Sequence, residues 1–246
     1  AFILPRSIKS AIVPWLAKIP KRVGLVGECR YGLINYPQPI KHKGRQTILE
    51  YANLLSLNGQ VDEFDSCLKP KLTLQKHELP ERLDNKPFVA FAPGASFGVS
   101  KCWPTESFKT LGMLLIRRGF QIVLLGSKND QPIAKRIDLP KEHCLNLTGT
   151  VNLETAINIL DQSRLLVSND AGLMHVAAAL NKKAVLYFGG WISPDVIGYD
   201  FHENIYYEDT QSPCGVKSKL CEHCSKARKI ITVNIFLENI YKISNS

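Results

Sequence analysis

The chain has 246 residues, 45% of them hydrophobic and 22% charged, which are the proportions of an ordinary globular protein with a sizeable core. No stretch approaches the ~18 consecutive apolar residues that span a bilayer, and the opening Ala1-Phe2-Ile3-Leu4-Pro5-Arg6 does not read as a secretory leader. The formal net charge of +9 suits an anionic partner, but no RNA-recognition pattern and no interleaving of aromatic and basic residues argues for nucleic acid.

The chain opens without methionine on an apolar run, as if mid-strand, so upstream sequence is expected to be missing. Residues 7–17 predict a short helix interrupted at Pro14, 20–35 a strand with turns, and 46–57 a helix. Much of the positive charge lies here, on Arg6, Lys9, Lys18, Lys21, Arg22, Arg30, Lys41, Lys43 and Arg45. Pro70, Pro80 and Pro87 among many charges mark a connector over 71–87, separating a first domain (1–70) from a second (88–231), with a C-terminal helix over 232–246. From residue 88 the pattern is strand–helix–strand, with buried strands predicted near 88–92, 121–125, 165–168 and 183–188. Between the second and third, Leu153, Ala156, Ile157 and Leu160 fall on one helix face behind Asn152 as N-cap. Such alternation means a parallel, doubly wound sheet whose ligands sit beyond the C-terminal strand ends.

Two loops at those ends have anion chemistry. Pro93-Gly94-Ala95-Ser96-Phe97-Gly98-Val99-Ser100-Lys101-Cys102-Trp103-Pro104 follows a strand and opens a helix. Lys101 there can meet a diphosphate as a point charge, with Ser96 and nearby amides donating hydrogen bonds. It is not a Walker loop, which needs Gly-Lys-Ser/Thr in direct sequence. The second loop, Asn169-Asp170-Ala171-Gly172, runs from a strand into an alanine-rich helix carrying His175 one turn on. Its amides and the helix dipole favour an anion.

Of seven cysteines, Cys29, Cys67, Cys102 and Cys144 read as reduced, packed thiols. Cys214, Cys221 and Cys224 cluster with His223 in a Cys-x6-Cys-x2-Cys segment. The long first gap, the missing second Cys-x2-Cys pair and the histidine inside the pair argue against zinc, so a local structural or redox role is expected and no metal site.

Several segments carry a resemblance. Leu4-Pro5-Arg6-Ser7-Ile8-Lys9-Ser10-Ala11, Ile19-Pro20-Lys21-Arg22-Val23-Gly24, Gly27-Glu28-Cys29-Arg30-Tyr31-Gly32-Leu33-Ile34-Asn35, Pro93-Gly94-Ala95, Lys101-Cys102-Trp103-Pro104, Leu125-Gly126-Ser127, Leu147-Thr148-Gly149 and the run from Asn169 to Leu180 together resemble the lipopolysaccharide core heptosyltransferases, in particular the branch that adds the second inner-core heptose. The resemblance covers nearly the whole chain. It implies an α/β glycosyltransferase-B fold of two Rossmann-like domains, the N-terminal one incomplete. The first domain would hold an anionic, lipid A–core acceptor and the second an ADP-heptose donor. The implied reaction is an inverting, metal-independent transfer without a cofactor, in the cytoplasm and in peripheral contact with the inner membrane.

By match to the family's motifs, Lys101 contacts the donor diphosphate with Gly94, Ala95 and Ser96 around it. Ala171 and Gly172 cradle phosphate through their amides. His175 and Asp170 orient that loop or touch the donor, and Asp130 with Ser127 meets the adenosine ribose. Arg6, Lys9, Arg22 and Arg30 are candidates for acceptor or membrane contact. Ala171 stands where the family has Ser or Thr, and Gly189-Gly190-Trp191 where it has a Gly-x-Ser/Thr turn. The family's catalytic aspartate belongs to upstream units, so no general base is assigned, and this chain alone is expected to bind ADP weakly or not at all and to transfer nothing. A family member with another core acceptor, or a remnant that only binds the nucleotide sugar, fits the same motifs.

Overall fold

The computed structural model describes residues 1–38, 47–55, 70–74, 80, 83, 86–95, 98–215 and 220–244. The chain divides into two α/β units, one formed by Ala1–Lys69 with Asp195–Ile197, the other by Pro70–Pro194 with Gly198–Ser246.

In the first unit, strands β1 (Phe2–Ile3), β2 (Val23–Leu25) and β3 (Tyr36–Gln38) form a parallel sheet in sequential order. Helix α1 (Ile8–Leu16) starts where the Ser7 hydroxyl accepts the Ser10 N–H at 3.4 Å. Pro14 does not interrupt it, contrary to the sequence expectation. Proline forfeits one amide bond, but near the helix end the Ala17 N–H still reaches the Val13 carbonyl at 3.0 Å. Ile3, Ala11 and Ile34 make one small core, and Val23 and Leu25 meet Leu54 of α2 (Thr47–Leu55). Only three residues of the predicted 20–35 strand segment are strand. The rest is a turn with Glu28 and Cys29 in the left-handed region, at φ of 46° and 52°. Cys29 is exposed there, so it is not the packed thiol the sequence suggests. Cys67 lies outside the described residues, as do Lys41, Lys43 and Arg45.

The second unit is built on six parallel strands in the order β6-β5-β4-β7-β8-β9. Strands β4 (Phe88–Ala92), β5 (Gln121–Leu124), β7 (Leu166–Asn169) and β8 (Ala184–Gly189) are buried throughout, which is why they show as apolar runs in sequence. The outer strands β6 (Cys144–Asn146) and β9 (Glu203–Tyr206) are short and half-exposed and give no such signal. Helices α3 (Thr105–Ile116), α4 (Gln131–Arg136), α5 (Leu153–Gln162) and α6 (Gly172–Ala179) are the crossovers between strands. A short α7 (Pro194–Ile197) precedes β9, and α8 (Glu222–Ile230) and α9 (Val233–Ser244) end the chain.

The indole of Trp103 anchors this core. It stacks on Phe236 of α9 at 4.0 Å, meets Phe108 of α3 edge-on at 5.2 Å, and donates Nε1–H to the Ile231 carbonyl at 2.9 Å. The last helix is thereby part of the second unit's core, with Phe236, Leu237, Ile240 and Ile243 packed inward. The proline-bearing segment also belongs to this unit at its start, where the Leu72 N–H donates to the Ala179 carbonyl at 2.9 Å.

One buried histidine makes this unit sensitive to acid. His202 donates Nε2–H to the Lys182 carbonyl at 3.2 Å, while its Nδ1 is buried without a hydrogen-bond partner. Burial pushes its imidazole down to about 4. The native state therefore holds His202 neutral, while the unfolded chain takes up a proton once the pH drops below about 6.5. Stability falls as the pH goes from about 6.5 towards 4, and at pH 4.5 this one group accounts for a loss of about 2 kcal/mol. Urea denaturation at pH 7.5 and 4.5 checks this: His202→Gln should lose about 2 kcal/mol less than the parent chain over that interval.

Candidate functional site

The strand order reverses between β4 and β7. β4 leads outward to β5 and β6, β7 outward to β8 and β9, and the two loops diverge from adjacent strand ends. Such a switch point opens a crevice at the C-terminal edge of a parallel sheet. Asn169, the last residue of β7, closes the floor of that crevice. It is fully buried, donates from Nδ2 to the Pro93 carbonyl at 2.6 Å, and accepts the Trp103 N–H on Oδ1 at 2.9 Å. Beside it, Ser168 donates from Oγ to the Ala92 carbonyl at 3.3 Å. Neither residue was assigned a role from sequence. The available signal was a pair of polar residues ending a buried strand, since such groups must find partners.

The next residue, Asp170, receives the Lys101 ammonium at 2.5 Å, and both side chains are buried. The Lys101 Nζ also lies 3.9 Å from the ring centroid of Trp191. Lys101 is thus no solvated surface charge. It is held by a carboxylate from the far side of the switch point and roofed by an aromatic face, a cation–π arrangement. Removing either member of such a buried pair leaves the other charge uncompensated, which is strongly destabilising.

Ala171 is the N-cap of α6, in an extended conformation, and its methyl group offers no side-chain acceptor to the first turn. Gly172 adds no side chain in front of those amides, and a Cβ built there meets nothing within 4 Å. The first-turn amides of α6 therefore have no side-chain cap, and the positive end of the helix dipole lies at this position.

On the other flank, Asp130 accepts the N–H and hydroxyl of Ser127 on Oδ2, at 2.8 and 2.7 Å, forming a capping box at the end of the β5 loop. Its Oδ1 faces Gly94, where a Cβ would lie 2.1 Å away. Glycine at 94 is required by this close approach.

Gly94, Ala95, Ser127, Asp130, Ala171 and Gly172 together line a cavity of about 480 Å³, completed by Leu125, Val151, Leu153 and Val176. Six of the donor residues expected from sequence are thereby brought to one apolar-walled space with polar groups at its rim. Lys101, Asp170 and His175 are not among its lining residues. His175 stands on the exposed side of α6 with Nδ1 2.9 Å from the Tyr199 hydroxyl. Desolvation pushes its imidazole below the ordinary value, with Asp170 opposing and Lys101 reinforcing that shift. Ser96 lies outside the described residues.

The four cations expected to contact an acceptor or membrane belong to the first unit and differ in fate. Arg30 is buried, donating to the carbonyls of Leu25, Gly27 at 3.2 Å and Pro5 at 2.7 Å, and burial lowers its basicity. Arg22 donates to the carbonyls of Leu33 at 2.6 Å and Ile19 at 2.5 Å. Both guanidinium groups fasten the 27–35 turn, Arg30 from a buried position and Arg22 from a half-buried one. Arg6 pairs with the buried Glu50, and Lys9 is exposed on α1.

Among the described residues, a grouping of metal-ligating residue types, Cys214, Cys221, His223 and Cys224, lies beyond β9.

The family model for glycosyltransferase family 9 (heptosyltransferase) matches residues 1–223. The chain is 38% identical over 212 residues to lipooligosaccharide heptosyltransferase 2 of Haemophilus ducreyi, covering 79% of this chain and 61% of that protein. It is 36% identical over 211 residues to lipopolysaccharide heptosyltransferase 2 of Escherichia coli, covering 79% and 60%. The chain therefore spans about three fifths of the length of these curated relatives. Among solved structures, that of the E. coli ADP-heptose lipopolysaccharide heptosyltransferase II superposes with a TM-score of 0.75 at 30% identity, covering 98% of this chain and 75% of that one. The α/β architecture is accordingly of the glycosyltransferase-B type.

Asn169→Ala should cost about 2–4 kcal/mol in urea denaturation, because it strands the buried Trp103 N–H and Pro93 carbonyl. Asn152→Ala, which removes only the exposed cap of α5, should cost about 1 kcal/mol.

Proposed function

This chain belongs to glycosyltransferase family 9, the heptosyltransferases, and on that premise we propose that it supplies the donor-binding unit for transfer of heptose from ADP-heptose to the inner-core heptose of lipopolysaccharide. The observation that carries the reading is the cavity of about 480 Å³ at the switch point, walled by Leu125, Leu153 and Val176 and rimmed by the uncapped N-terminus of α6. The relatives are named for heptose transfer to lipopolysaccharide or lipooligosaccharide, and the solved structure's description names ADP-heptose.

Each group then has a task. The α6 amides take the diphosphate, and the helix dipole stabilises the negative charge that grows on ADP as it leaves. Asp170, one residue before the N-cap of α6, holds the Lys101 ammonium in place and so ties that helix end to the loop after β4. Asp130 has committed Oδ2 to Ser127, which leaves Oδ1 for the ribose hydroxyls. The apolar walls receive the adenine. An acceptor hydroxyl displaces ADP at the anomeric carbon with inversion. Lys9, with Arg6 beside it, offers the first unit's contact to an anionic lipid A–core acceptor.

Among the described residues no helix is long and apolar enough to cross a membrane. On this proposal the work lies in the cytoplasm, in peripheral contact with the inner membrane, because the donor is a nucleotide sugar and the acceptor is lipid-linked.

Calorimetric titration of ADP, with UDP as control, tests the donor assignment. ADP should bind weakly but in preference to UDP, and Asp130→Ala should weaken it by about tenfold, the loss of one charge-assisted hydrogen bond of ~1.4 kcal/mol. Equal heats from UDP, or none from ADP with a chain folded by circular dichroism, would sink it.

A further inference from the structure

Cys214, Cys221, His223 and Cys224 stand outside the donor cavity, and nothing in the transfer reaction uses them. Each offers one ligand atom, and these atoms all lie within 4.8 Å of one another, with the sulfurs of Cys214 and Cys224 3.3 Å apart. Ligands arranged tetrahedrally at the zinc–sulfur distance of ~2.3 Å are ~3.8 Å from each other. The 3.3 Å sulfur pair and the 4.8 Å outer limit lie on either side of that value, so the four atoms already stand at the spacing of one coordination sphere.

The surroundings are those of a metal-bound histidine. The His223 ring is buried, and its Nε2 lies 3.0 Å from Asp209 Oδ1 and 2.8 Å from Ser212 Oγ. Its Nδ1 is buried without a hydrogen-bond partner. A carboxylate that holds Nε2 leaves the buried Nδ1 as the nitrogen available to a metal, and such a carboxylate–histidine pair sets the tautomer that metal ligation needs. Cys221 is the N-cap of α8, and its sulfur accepts the Cys224 N–H at 3.4 Å, an arrangement that favours thiolate.

We propose that Cys214, Cys221, Cys224 and the Nδ1 of His223 form a closed, structural zinc(II) site. The donor set of three thiolates and one imidazole is a zinc set, and four protein ligands leave no open position for chemistry. Binding releases the three thiol protons to solvent and forms three Zn–S bonds and one Zn–N bond, with no change of oxidation state.

The site has a purpose in the fold. The Cys214 N–H donates to the Gly190 carbonyl at 3.0 Å, and the Gly215 N–H to the Trp191 carbonyl at 3.3 Å. The His223 ring fills the space where a Cβ on Gly190 would stand, 2.0 Å from its Cε1. The metal therefore braces the Gly189-Gly190-Trp191 turn, whose indole roofs Lys101. This also accounts for glycine at 190. The proposal does not depend on the donor assignment and is tested without it.

The chain, purified in a phosphine reductant and freed of metal by chelation, is titrated with Co²⁺. One equivalent should bring up the visible d–d bands of tetrahedral cobalt with thiolate-to-metal charge transfer, and Zn²⁺ should bleach both. Cys214→Ser and Cys221→Ser, neither of them fully buried, should each remove the charge-transfer band. Asp209→Asn should weaken cobalt binding by about 10–100-fold. Cys29→Ser, an exposed thiol of the first unit, should change nothing. Folding of each variant is checked by circular dichroism. The site is refuted if folded, fully reduced protein gives no such bands, or if the bands survive in the Cys214→Ser, Cys221→Ser double variant. A mass loss of two hydrogens that maps a Cys214–Cys224 disulfide in the reduced sample would refute it equally.

Discussion

Two loops that diverge from adjacent strand ends leave a gap, and the carboxamide of Asn169 is what ties that gap together. From one buried side chain it reaches the loop after β4 through Pro93 and the start of the α3 segment through Trp103. Everything that gives the crevice its chemistry hangs on elements so fixed: Asp170 is the next residue, Ala171 caps α6, and Gly94 is next to Pro93. A neutral amide suits the position because it donates and accepts at once. A carboxylate would leave the Pro93 carbonyl unsatisfied, and an aliphatic residue would strand both partners.

The charged pair at this junction illustrates how burial changes a residue's meaning. A lysine before a helix reads as a free cation waiting for phosphate. In the fold it is enclosed by Asp170 and the Trp191 ring, so its charge is retained inside the protein and its position is set. The pair is neutral as a whole, and the long lysine side chain is already ordered. The turn that carries Trp191 is itself held from behind by the loop bearing Cys214 and by the His223 ring. Two regions far apart in sequence thus serve one wall.

The basic first unit shows the opposite lesson. Positive charge concentrated in a short segment suggested an outward-facing anion surface. Arg22 and Arg30 use their guanidinium forks on backbone carbonyls, of Leu33 and Gly27 in the turn between β2 and β3 and of Ile19 and Pro5 outside it. A turn with two non-glycine residues in the left-handed region presents carbonyls that helix and sheet bonding leave over, and planar donors satisfy them. Composition counts charges but does not say which of them water sees.

Periodicity and loop chemistry in the chain alone determined the α/β class and the buried central strands, and marked the glycine-bearing loops that follow β4 and β7. These depend on residues close in sequence, where apolar runs and glycine-bearing turns leave a local mark. The outer strands β6 and β9 left none, because a half-exposed edge strand needs no apolar run. Tertiary structure decided the pairing of Lys101 with Asp170, the inward turn of Arg30 and the convergence of three cysteines on His223. Each is a contact across the fold, and contacts of that kind follow from topology and burial, which spacing along the chain does not record.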